Sequence, residues 1–207
     1  MTANLSKLAL ALAATALLSA PALAGNEGNA ASNHSAVFSF ADESPIPGGS
    51  ATLLRSVRGV SFSAQAAGLE PEAAYTVWWI IFNNPKKCQH PEPFNDARCG
   101  LGDVVPDTAV NASVTWATGR VSDAHGFASF DAHLIRGAGR TSADGFGPGL
   151  VGNGAEIHLV YLSHGPADAI ADLESALTGF STCPDPENPT QDDEPECIDF
   201  AFSVFAK

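Results

Sequence analysis

Short stretches of this 207-residue chain alternate apolar and polar positions with a period of two, and clusters of Gly, Pro, Asn and Asp separate them. Val60, Phe62 and Ala64 alternate with Ser61, Ser63 and Gln65, the pattern of a strand with one face on a core and the other in water. Ile157, Leu159 and Tyr161 alternate likewise with Glu156 and His158. Eight runs of this kind predict strands over Ser35–Phe40, Ser50–Arg55, Val57–Ala66, Tyr75–Phe82, Ala112–Thr118, Gly126–Leu134, Glu156–Ser163 and Ile198–Phe205. The run YTVWWIIF is apolar on both faces, which predicts a central strand whose outer face lies under a loop. One short helix is expected over Ala167–Leu177, with Asp168 as its N-cap. Strands without a strand–helix–strand rhythm point to an all-β fold, a Greek-key β-sandwich of about eight strands. Three connections exceed simple turns: Asn83–Val110, Ile135–Gly154 and Pro184–Glu196.

The first 24 residues depart from this pattern. Lys7 precedes the apolar run LALALAATALLSA, and Pro21 and Ala22-Leu23-Ala24 follow it, as in a secretory signal peptide of bacterial type. The expected organisation is therefore a signal peptide over 1–24, a flexible lead over 25–33 and a single domain over 34–207, secreted or periplasmic, with no membrane insertion after cleavage. Removing Lys7 leaves 9 Lys+Arg against 23 Asp+Glu, a net charge of −14. Such a charge disfavours nucleic acid as a partner. Four cysteines, Cys88, Cys99, Cys183 and Cys197, predict two disulfides in an exported chain. Local pairing, Cys88 with Cys99 and Cys183 with Cys197, is favoured because each pair brackets a Pro-rich stretch with little else to hold it. Closing a loop of about 15 residues contributes on the order of 3 kcal/mol.

The stretch GLEPEAAYTVWWIIFNNPKKCQHPEPFN (Gly68–Asn95) resembles the copper/zinc superoxide dismutase and chordin-type sandwiches in its turn, strand and cysteine-bearing loop. TGRVSDAHGFASFDAHL (Thr118–Leu134) resembles their hairpin around an Asp/Gly turn. AEIHLVYLSHGPADA (Ala155–Ala169) and CIDFAFSVF (Cys197–Phe205) are similar to their last two strands, the resemblance covering about 130 residues in all. It implies an immunoglobulin-like or superoxide dismutase-like sandwich. The dismutase His-x-His would fall on Val77–Ile80, where this chain has Trp78 and Trp79, and only His164 lies near a copper-ligand position. The resemblance thus implies the fold with the copper ligands absent.

Strand parity places Asp131 with His133, and Glu156 with His158, on single faces of their strands. Four transition-metal ligands would converge if those strands were neighbours; otherwise they are polar side chains on a solvated face. The acidic loop with Asp185, Glu187, Asn188, Asp192, Asp193, Glu194 and Glu196 offers calcium-type oxygen ligands, without EF-hand spacing. Ser163 and His164 are adjacent in a strand and point to opposite faces, no G-x-S-x-G elbow exists, and no phosphate-binding G-x-G-x-x-G precedes a helix. Trp78, Trp79 and Trp116 are candidates for stacking on sugars, with core packing as the alternative. These residues favour a non-enzymatic binding or structural protein without a cofactor, its partner a protein, a matrix component or a small ligand. The alternative is a secreted protein that binds calcium or a transition metal, with or without a metal-dependent activity.

Overall fold

The computed structural model describes residues 31–139, 145–179 and 198–206. The expected signal peptide, Cys183, Cys197 and the acidic loop with Asp192, Asp193 and Glu194 lie outside them. Eight antiparallel strands form one sheet: β1 (Ala31–Ser39), β2 (Pro45–Arg55), β3 (Gly59–Ala66), β4 (Ala73–Phe82), β5 (Ala112–Val121), β6 (Ala128–Ile135), β7 (Glu156–Pro166) and β8 (Ile198–Phe205). Their order across the sheet is β5-β4-β7-β8-β1-β2-β3-β6. Hydrogen bonding therefore runs on through all eight strands, where two separate sheets were expected.

The sheet curls over on itself, nearly into a barrel. Phe62 on β3 meets Trp79 on β4 edge-on, with centroids 4.9 Å apart, although four strands separate β3 from β4 in the order. Phe130 on the terminal strand β6 likewise meets Tyr161 on β7, at 5.6 Å. The inward side chains Val37, Leu53, Phe62, Val77, Trp79 and Leu159 form a single buried core. Aromatic pairs of this geometry contribute about 0.5–1.5 kcal/mol each beyond the area they bury. At one end of the enclosure the buried Arg55 guanidinium donates to the carbonyls of Ala155 (2.8 Å) and Phe205 (3.0 Å), stitching β2 to the ends of β7 and β8.

Boundaries moved where turn residues masked a strand. β2 starts at Pro45, five residues ahead of the expected start, because Pro45 faces Phe38 across a register shift that tolerates the missing N–H. β1 begins at Ala31 and takes in the end of the expected flexible lead. The expected helix is reduced to a 3-10 turn over Ala167–Ala169 and one helical turn, α1 (Leu173–Ala176). Its cap is Asp172, whose carboxylate accepts from the Ser175 N–H, and not Asp168. The β5–β6 turn is built on Asp123, which accepts from the N–H groups of His125 and Phe127. Gly126 sits there at φ +70°, and a Cβ on it would strike the Leu69 carbonyl.

Candidate functional site

The two outer faces of the curled sheet differ. Over β2, β3 and β6 the outward face is open to water and mostly polar, with Ser63 and Asp131 exposed and Thr52 half-buried, though Leu54 and Ile135 are also exposed there. Over β4, β7 and β8 the outward residues are mostly apolar and covered, with Glu156 and His158 of β7 as buried polar members. Trp78 and Phe82 of β4 and Val160 and Leu162 of β7 pack against Cys99 and Val110 of the 83–110 connection. Beside them Phe202 and Val204 of β8 pack against Ala97 and Phe94. The both-sided apolarity of YTVWWIIF therefore has the expected cause, a loop laid over a central strand.

That loop has almost no regular structure, so its backbone groups are held by side chains. Cys88 and Cys99 form a disulfide, as expected, with Cα atoms 5.1 Å apart. From just beyond the ring it closes, the Asp103 carboxylate accepts from the N–H groups of Gln89 (2.9 Å) and His90 (3.1 Å) within the ring and of Gly100 (3.2 Å) next to it. Asn95 donates to the Ser35 hydroxyl and the Val204 carbonyl, pinning the loop to β1 and β8. The deepest anchor is Glu156. Its carboxylate accepts from the backbone N–H of Arg98 and Cys99 and from His158 Nε2 at 2.9 Å. Burial pushes the Glu156 carboxyl up, but the His158 hydrogen bond and the two backbone donors outweigh it and hold the pKa below its usual value. Replacing Cys88 and Cys99 together by serine is expected to lower the unfolding free energy by about 2.5 to 3 kcal/mol for so short a loop. Urea denaturation measures it, and an unchanged midpoint would show that the side-chain anchors alone suffice.

Where the loop crosses the sheet it leaves a cavity of about 110 Å³. Ile80, Val160 and Phe202 are its buried base, Phe40 and Phe94 its half-buried walls, and the His158 imidazole opens into it. The three phenylalanines touch: Phe202 lies 4.8 Å from Phe40 and 5.0 Å from Phe94, ring centre to ring centre. Glu43, exposed, and Glu92, half-buried, stand at the outer edge.

The sequence-predicted metal ligands do not come together. Asp131 and His133 lie on β6, exposed, with Asp131 3.9 Å from Arg120 and His133 3.1 Å from the Ser61 hydroxyl. Glu156 and His158 lie on β7, between β4 and β8, under the loop. Since β6 and β7 are not neighbours, the condition for convergence is not met. The solvated-face reading therefore describes Asp131 and His133, while Glu156 and His158 are buried. Among the described residues the one close group of possible metal ligands is Cys88, Cys99 and Asp103. There the sulfurs are bonded to each other and the carboxylate is occupied by three N–H groups.

His164 is also buried, bonded at 2.9 Å to Thr76 Oγ1, which in turn accepts from the Trp78 indole N–H. Burial lowers its pKa from 6.5 to about 4. Trp78 and Trp79 are each 1% exposed, so neither offers a face to a sugar. Trp116 is half-buried and its indole donates to the Leu177 carbonyl. Sequence reasoning missed Phe40, Phe94, Phe202, Glu43 and Glu92, which come from three distant segments. The available signal was a phenylalanine inside the polar, proline-rich stretch HPEPFND.

Among the described residues no helix is long and apolar enough to cross a membrane. No protein-family model matches the chain, and no curated protein or solved structure matches it significantly.

Proposed function

We propose that this is an exported, acidic, disulfide-bonded binding protein that takes a small ligand into the cavity beneath its 83–110 loop. The observation that carries the reading is the cavity itself. It is a preformed apolar recess with one polar group at its base, the usual composition of a ligand site. Its lining includes no Ser, Thr, Cys, Lys or Arg, which supports binding over nucleophilic catalysis. The leader-like first 24 residues and the Cys88–Cys99 bridge support an oxidising, extracytoplasmic location.

Greek-key connectivity and kinship with the dismutase-type sandwiches belong to the same reading. After β4, β5 and β6 in succession, β7 returns by a long connection to lie beside β4, and β5 and β6 approach each other where the sheet curls.

The test is a titration of the mature protein with benzyl alcohol, followed by amide chemical shifts. Ligand entry is expected to move the resonances of Ile80, His158, Val160 and Phe202, and a Phe202→Ala change should weaken it. Saturation without any shift at these four positions, or no binding by any of a panel of small aromatic and aliphatic compounds, would overturn the reading.

A further inference from the structure

The cavity carries more information than its apolarity, because its polar groups all have the same sense. Glu156 is an ionised carboxylate and only accepts hydrogen bonds, so the 2.9 Å contact places the His158 proton on Nε2. In the neutral ring Nδ1 is then a lone-pair acceptor. It has no hydrogen-bond partner among the described residues, and it is not among the buried atoms sealed from solvent. His158 lines the cavity, so this acceptor is available to whatever enters.

Glu43 and Glu92 add two carboxylates. Glu43 has no side-chain partner among the described residues, and Glu92 uses only Oε1, to accept from the Leu101 N–H at 3.3 Å. Glu43 is held at the cavity edge in the left-handed backbone region, at φ 58°. Gly100 allows the close approach of Glu92, since a Cβ there would strike the Glu92 carboxylate. The walls are aromatic faces, which attract cations through the ring quadrupole. No Lys or Arg lines the cavity, so nothing in it neutralises an anion.

We infer that the cavity selects a small apolar primary amine in its ammonium form, its hydrocarbon body on Phe40, Phe94 and Phe202 and its charged head toward Glu43 and Glu92 at the outer edge, with no lysine or arginine in the lining to oppose it. The inference rests on the binding role proposed above and names the ligand class. Size sets the limit: a dry apolar cavity of roughly 150 Å³ takes up benzene. A recess of about 110 Å³ with an open edge therefore suits one ring or a short alkyl chain, with the head group at the edge.

Three probes of similar size separate the possibilities: benzylammonium, benzyl alcohol and benzoate, each titrated calorimetrically into the mature protein at pH 7 in low salt. Benzylammonium is expected to bind at least tenfold more tightly than benzyl alcohol, and benzoate most weakly. In the Glu43→Gln, Glu92→Gln double variant, the ammonium affinity should fall about tenfold while that of benzyl alcohol stays the same. Both changes lie at the cavity edge, and glutamine keeps the oxygen that accepts from Leu101, so the fold is not at stake. Benzyl alcohol binding as well as benzylammonium would overturn the inference and leave the cavity as a neutral-ligand site. So would an ammonium affinity that the double variant does not change. Failure of all three probes to bind would overturn both the inference and the binding role beneath it.

Discussion

Replacing Glu156 by alanine is expected to lower the unfolding free energy by about 4 kcal/mol at neutral pH, the cost of removing one partner from a buried charged network. The side chain is fully buried and serves three donors at once, the backbone N–H groups of Arg98 and Cys99 and the His158 ring. Alanine leaves all three without an acceptor in a place where water does not replace it. Because the folded-state carboxyl is held below its ordinary pKa, its stabilisation is complete above that ordinary value and fades as the pH falls through the lower folded one. The penalty of the substitution should therefore shrink in acid. Glu156→Gln, which keeps one acceptor oxygen, should recover part of the loss. Chemical denaturation at pH 7 and pH 4 measures both. A loss under about 1 kcal/mol for alanine would mean that the loop is held without this anchor.

The second large effect is a pH dependence carried by His164. The ring is 1% exposed, and its pKa falls from 6.5 to about 4 on folding. Above pH 6.5 it is neutral in both states and contributes nothing to pH dependence. Between pH 6.5 and 4 the unfolded chain binds the proton and the folded one does not, so stability falls with decreasing pH. The slope approaches about 1.4 kcal/mol per pH unit, and the loss reaches about 3 to 4 kcal/mol near pH 4, where it levels off. Asp199 acts in the opposite sense, because burial raises its carboxyl pKa and the folded state then binds the proton more readily. The contribution of His164 is therefore read as the difference between the parent protein and His164→Gln, whose profile should be flatter across this window. Parallel profiles would show that the ring accepts a proton in place without cost.

Both predictions concern residues that the sequence brought forward for other reasons. Parity correctly placed Glu156 and His158 on one face of β7, since side-chain alternation is a local property of an extended backbone. Parity is silent on what lies above that face. The alternation in GVSFSAQA and the one in EIHLVYLS look alike, yet the first strand shows its polar side to water and the second buries it under a loop. The both-sided apolarity of β4 was a true sign of that loop, but it could not be extended to the strands beside β4 without the strand order.

Pairing order also decided that Asp131 and His133 do not meet Glu156 and His158, because β6 lies at one end of the sheet and β7 near the other. The early start of β2 was hidden by Pro45, Pro47 and the Gly48-Gly49 pair, residues that end strands unless a register shift or an edge accommodates them.

The sequence by itself determined that the chain builds eight strands, that Tyr75–Phe82 is buried on both sides, and that Cys88 pairs with Cys99 across a loop without regular structure. These follow from short-range facts: a two-residue period, a run of apolar side chains, two cysteines eleven apart. Tertiary structure alone decided that the strands close into one curled sheet, that Phe40, Phe94 and Phe202 meet, and that His158 opens into the recess they form. Those contacts join segments more than forty residues apart, and they depend on which strands pair and how far the sheet bends. No local pattern of hydrophobic and polar positions encodes either quantity.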